Sequence, residues 1–162
     1  MHFLKDQDIQ RIVDIGAGYG RVGLVMSSLF PRSRFIGLEI LEQRKNEGNR
    51  IYEELGLINC EILQKNVLVD DYQLPDAQVY FIYDFSEVED LNIIMRQLSE
   101  RKKTESFFLI TRGDRIDSLL ANKYKNFWSS NGHVQCGALK IYSSTNNLKA
   151  INQRSRNGKG KS

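Results

Sequence analysis

Apolar residues fall along this chain in two alternating textures. Short unbroken runs appear in RIVDI from Arg11, RFIGLE from Arg34, INCEIL from Ile58, QVYFIYDF from Gln78 and the segment Ser106 to Thr111. Such runs predict strands covered on both faces, and the five apolar or aromatic residues from Val79 to Tyr83 predict the central one. Between them, apolar residues recur at offsets of three and four. Val22, Val25, Met26 and Leu29 form one stripe, Leu41, Ile51, Tyr52 and Leu55 a second, and Val88, Leu91, Met95 and Leu98 a third. Each stripe predicts a helix with one buried face. Gly56 stands where a C-cap belongs after the second helix, and Asp114 is placed to cap a fourth helix running towards Tyr124. HVQCG and ALKIYSS meet almost directly around Gly137, which predicts an antiparallel pair at one sheet edge. The alternation as a whole predicts an α/β fold, a doubly wound sheet of seven strands.

The junction of the first strand and first helix carries the first sign of chemistry. The strand holds an acid, Asp14, and runs directly into Gly16, Gly18 and Gly20, spaced two apart. A strand, a glycine loop and a helix form the opening unit of nucleotide-binding α/β folds. A second acid, Glu39, ends the next strand 19 residues after Gly20. That is close to the roughly 20 residues at which a carboxylate reaches both ribose hydroxyls of an adenosine group. A dinucleotide site would require G-x-G-x-x-G counted from the strand end, and Arg21 stands where its third glycine belongs. A formal match at Gly18, Gly20 and Gly23 starts two residues too late. Arg21 is the residue that would meet phosphate in that alternative, a nicotinamide-dependent dehydrogenase.

The spacing that does abut the strand, D-x-G-x-G-x-G over Asp14 to Gly20, resembles motif I of the class I S-adenosylmethionine-dependent methyltransferases. The resemblance implies a Rossmann-like seven-stranded sheet, mostly parallel with an antiparallel last strand, over roughly Gln10 to Ser144. It implies S-adenosylmethionine as cofactor, held by Asp14, Gly16, Gly18, Gly20 and Glu39. Asn66 falls where many members carry an acid that meets the adenine amino group, with Asp70 and Asp71 as alternatives. Methyl transfer asks little of side chains, because the sulfonium is an activated donor and the enzyme chiefly aligns the acceptor. The candidate catalytic residue is Asp84, at the carboxyl end of the fourth strand, where it could orient an acceptor or take its proton. Its alternative role is to cap the next helix together with Ser86. Tyr83 and Phe85 are candidates for the wall of an acceptor channel.

The segment YDFS differs from the D/N-P-P-Y signature of methyltransferases that act on bases or glutamine. VDIGAGYGRVGLVM followed by GLEI is similar to the small protein-lysine methyltransferases that act on the ATP synthase c-subunit. VDIGAG and EELGL are shared with small ribosomal RNA guanine methyltransferases. The resemblance therefore implies an acceptor that is a protein lysine or a small-molecule amine. RNA is the alternative, and a non-catalytic or partner-dependent cofactor module a third.

Composition bounds these readings. At 162 residues and 41% hydrophobic, the chain suits one domain, taken as residues 1–148, with no room for a second substrate domain. No stretch approaches the about 18 apolar residues of a membrane span, and MHFLKDQDIQ is too polar for a signal peptide, so a cytoplasmic setting is expected. Cys60 and Cys136 lack metal-ligand spacing and read as small packed residues. The tail 149–162 holds five of the 23 Lys and Arg and none of the 20 Asp and Glu, which leaves the body at 18 against 20. It is expected to be disordered, and to meet nucleic acid only in the RNA reading. NKYKNFW, Asn122 to Trp128, is the one stretch that interleaves aromatic and basic residues, and its plain reading is a helix end.

Overall fold

The computed structural model describes residue 4, residues 7–125 and residues 132–145; the tail 149–162 and the aromatic half of NKYKNFW lie outside them. Five strands, β1 (Arg11–Ile15), β2 (Arg34–Glu39), β3 (Cys60–Gln64), β4 (Val79–Tyr83) and β5 (Phe108–Arg112), pair in parallel. The chain ends in an antiparallel hairpin, β6 (Val134–Cys136) and β7 (Leu139–Ser143), turned at Gly137. β7 pairs antiparallel with β5, so the sheet order is β3-β2-β1-β4-β5-β7-β6. This is the seven-stranded sheet with a reversed last strand that the pattern and the resemblance implied. The chain winds outward from β1 to β3, returns, and continues from β4, so its winding reverses between β1 and β4. Ligands of open α/β sheets bind in the crevice at the carboxyl ends of the strands flanking that point.

Four helices cover the sheet: α1 (Arg21–Leu29), α2 (Glu42–Glu54), α3 (Val88–Arg101) and α4 (Asp114–Asn122). Alternate strand residues face opposite sides. Ile12, Phe35, Phe81 and Ile110 pack with Met26, Phe30 and Tyr52 on the α1 and α2 face. Val13, Ile36, Tyr80 and Leu109 pack with α3 and α4 on the other. The third stripe buries Leu91, Met95 and Leu98 completely, joined by Ile94, each contributing roughly 1.5–3 kcal/mol by its burial. Val88, counted in that stripe, stands exposed at the first turn.

The first two stripes are corrected by the structure. In α1 the buried residues are Gly23 and Met26, and Val25 is 52% exposed. In α2 they are Gly48 and Tyr52, while Leu41 and Leu55 stand out in solvent. The reason is close approach: a Cβ at Gly23 would lie 2.1 Å from the Tyr52 hydroxyl, and one at Gly48 2.3 Å from Ile62 Cδ1. Counting hydrophobic side chains misses a helix whose contact line runs through glycine. Asn49 completes the α2 seam, its amide donating to Ile62 O at 2.9 Å and accepting from Ile62 N at 2.7 Å. Strand ends also shift: Ile58, read as strand, is 93% exposed, and the fifth strand begins at Phe108. Gly56, at φ +66°, follows α2 as expected. Among the described residues no helix is long and apolar enough to cross a membrane.

Candidate active site

β1 delivers the chain to the crevice at Ile15, and the following loop folds onto β2. The N–H groups of Gly16 and Ala17 both donate to Leu38 O at 2.9 Å. Gly18 and Gly20 take left-handed backbone angles, φ +58° and +77°, which a side chain would strain. At Gly20 the constraint is also steric, because a Cβ would lie 2.2 Å from the Tyr52 hydroxyl. That hydroxyl donates to Gly20 O at 2.6 Å, so α2 clamps the loop where α1 begins. At Gly18 the situation is reversed: a Cβ would meet nothing within 4 Å. The middle glycine borders open space.

Two acids stand behind this loop. Asp14 is 3% exposed, and among the described residues no hydrogen bond reaches its carboxylate. Burial, then the neighbouring Glu39 charge, push its pKa up to about 7. Glu39 is 5% exposed and ends β2 as expected. Its Oε2 accepts the Gly18 N–H at 2.8 Å and its Oε1 the Leu41 N–H at 2.9 Å. An ionised carboxylate offers about four lone-pair sites, so two backbone donors leave about two for a ligand. Asn66 is exposed beyond the end of β3, in a loop tied to Glu39 by the Lys65 N–H at 2.9 Å from Glu39 O. Its Oδ1 accepts the Leu68 N–H at 3.0 Å. Asp70 and Asp71 are exposed further along that loop. The structure thus gathers Asp14, Gly16, Gly18, Gly20 and Glu39 and sets Asn66 at their margin.

On the β4–β5 side, Asp84 follows β4 directly. Its Oδ2 accepts the Arg115 N–H at 2.9 Å and its Oδ1 the Ile116 N–H at 3.0 Å. Asp84 therefore caps α4 from another loop, lying so close that a Cβ on Gly113 would fall 2.2 Å from its carboxyl carbon. Two expectations change. Asp114 is the first residue of α4, with Gly113 at the cap position, and no cap bond comes from its own side chain. Asp84 does cap a helix, but α4 rather than the next one, while the Ser86 hydroxyl donates to Asp90. Phe85 packs over the loop, its Cβ 2.9 Å from where a Gly16 Cβ would stand. Tyr83 is half-buried beneath the Arg112 guanidinium, 5.9 Å from its ring centroid.

The site suits an uncharged-backbone adenosine ligand by three observations. Gly18 opens on free space, Glu39 aims spare acceptors beside it, and Asp14 is a buried carboxyl lacking a hydrogen-bond partner among the described residues. Tyr52 was legible only as a stripe residue, and its grip on Gly20 has no signature in spacing. Arg112, a lone strand-end arginine, gave no signal at all. Among the described residues no cluster of three or more His, Cys, Asp or Glu could hold a metal. Cys60 is half-buried against Gly23 O at 3.9 Å, and burial raises its thiol pKa.

Comparison with known proteins agrees with this geometry. Residues 8–84 match the model of a family described as a putative methyltransferase. Among solved structures, mitomycin 7-O-methyltransferase MmcR superposes with a TM-score of 0.61 at 19% identity, covering 83% of this chain and 48% of that one. An O-methyltransferase from neocarzinostatin biosynthesis, solved with S-adenosyl-L-homocysteine, gives 0.62 at 14%, covering 82% and 48%. A SAM-dependent methyltransferase from Aquifex aeolicus gives 0.60 at 14%, covering 84% and 82%. The chain spans about half the length of the first two. No curated protein matches it in sequence at a significant level. The seven-stranded fold is shared with these solved methyltransferase structures, as motif I implied.

Proposed function

We propose that this chain binds S-adenosylmethionine and transfers its methyl group to a small acceptor. The observation that carries the reading is the Glu39 carboxylate bonded to the Gly18 N–H beside the unobstructed face of that glycine. In this reading Glu39 holds the ribose hydroxyls with its remaining lone pairs, and Gly16 to Gly20 let the backbone approach the methionine and ribose. Asp14 supports the loop from beneath, and Asn66 offers its amide to the adenine edge. When bound, the cofactor supplies an electrophilic methyl on a sulfonium, so the protein needs to orient an acceptor and little more.

Asp84 acts as a positioning residue: by capping α4 it fixes the β4 end of the crevice against β5. Its oxygens keep further lone pairs towards an acceptor proton. The acceptors implied by motif resemblance, a protein lysine and a small-molecule amine, both present an ammonium group, and a small molecule without one fits the crevice better than either. Arg21 and Arg112 border the crevice, and among the described residues neither has an ion-pair partner, so a lysine ammonium would meet two like charges. The test is turnover: S-adenosylhomocysteine formed from S-adenosylmethionine by the full chain, compared with Gly18→Val. Formation lost in that variant is expected. Formation at an unchanged rate overturns the reading.

A further inference from the structure

We infer that the cleft between α1 and the carboxyl ends of β4 and β5 is the acceptor site, and that it takes a compact apolar molecule bearing an oxyanion. The inference rests on the methyltransferase reading for the word acceptor, and on the cleft itself for the chemistry. The cleft encloses about 280 Å³ beside the glycine loop. That is near the lower edge of small-molecule pockets, which run from roughly 300 to 1,000 Å³, and suits a single ring or short chain. Met26 and Phe81, both 1% exposed, form its floor, and Val22, Val25 and Leu139 its walls. The 52% exposure of Val25, which no packing among the described residues relieves, is what an apolar wall facing a ligand would show.

The rim is cationic. Arg21 opens α1 directly after Gly20, and Arg112 ends β5. Among the described residues Arg21 and Arg112 have no carboxylate partner, and they are the two arginines that line this cleft. Tyr83 lines the same cleft, with Arg112 over its ring and hydrogen-bonded to it, which restrains that guanidinium. Burial raises the Tyr83 phenol pKa, Asp14 raises it further, and Arg112 and Arg21 lower it. Two guanidiniums without carboxylate partners among the described residues, at the rim of an apolar cavity, match a carboxylate or phosphate on a hydrophobic body, because a guanidinium binds either with paired, charge-assisted hydrogen bonds. Aliphatic walls, rather than stacked aromatic platforms, favour a small acid over an RNA strand.

The test uses the full chain, with and without saturating S-adenosylhomocysteine, titrated with benzoate, phenyl phosphate, methyl benzoate, benzylamine and a short single-stranded RNA. Benzoate or phenyl phosphate is expected to bind at least about tenfold more tightly than the ester or the amine, the loss usual when charge-assisted hydrogen bonds are removed. The stronger of the two anions identifies carboxylate or phosphate. Arg112→Met and Arg21→Met should each weaken that binding about tenfold while S-adenosylhomocysteine affinity stays unchanged. Arg32→Met, an exposed site before β2 at the opposite end of the strands, should change nothing. Equal binding of the ester or amine, no binding of either anion, or indifference to Arg112→Met overturns the proposal, as does RNA displacing the bound anion. Absent S-adenosylhomocysteine binding with anion binding that still needs Arg112 sinks the methyltransferase reading and leaves the oxyanion site standing.

Discussion

On the β1–β2 side of the crevice, the polar groups are buried and mostly tied to backbone. Glu39 holds two N–H groups, the loop hangs on Leu38 O, and Tyr52 grips Gly20 O. On the β4–β5 side, Arg112 and Arg115 are exposed, Asp84 caps a helix end, and the cleft lies open. The contrast teaches that one half is built to hold a fixed shape, which suits a cofactor shared across many proteins. The other is open and exposed, which suits an acceptor particular to one.

The sharpest way to break the rigid half is Gly20→Ala. A left-handed angle costs about 1–2 kcal/mol without glycine, and overpacking against Tyr52 adds roughly 1–3. Chemical denaturation should show a loss of about 3 kcal/mol. A loss below 1 kcal/mol would mean that the Tyr52 clamp yields freely.

Asp14 makes a comparable claim about pH. Its pKa is raised from 3.8 to about 7, so the native state binds a proton that the unfolded chain has already released. Stability should therefore fall as pH rises through that window, on the order of 3 kcal/mol between about pH 4 and pH 7. Asp14→Asn should flatten the profile, and identical profiles for both proteins would remove the buried charge from the account.

Glu39→Ala should weaken cofactor binding by roughly 1.5–3 kcal/mol, the size of hydrogen bonds to a charged group, read by calorimetry. Unchanged affinity would sink the ribose assignment. In the open half, Asp84→Ala should lower stability by about 1–2 kcal/mol through loss of the α4 cap, with weaker amide protection at Arg115 and Ile116 under hydrogen exchange. The smallest effect belongs to Leu55→Asp, expected within about 0.5 kcal/mol because Leu55 is 60% exposed despite its place in the apolar stripe.

These magnitudes track what was legible in the sequence. The strand runs, apart from their ends, were legible because a parallel sheet is specified by local order, and Asp14 and Glu39 stand in β1 and at the end of β2 as their spacing predicted. In α1 the stripe held at Val22, Met26 and Leu29 and failed at Val25, and the α2 face was misread, because the closest contacts run through Gly23 and Gly48, where the packing signal is the absence of a side chain. Asp84 was placed at the right strand end, but its partners lie 31 and 32 residues away on α4, a pairing with no local spacing. Arg112 acquires meaning only beside Tyr83 and Arg21, from three different elements. The glycine-loop half of the crevice is therefore written in one stretch of chain, and the β4–β5 half in the way separate stretches meet.

The most direct measurement is isothermal titration of the full chain with S-adenosylmethionine, S-adenosylhomocysteine and NAD. The account predicts binding of the first two and no heat from NAD, because the loop offers Gly18 and Glu39 to an adenosine without a pyrophosphate. Binding of NAD, or of none of the three, would contradict it.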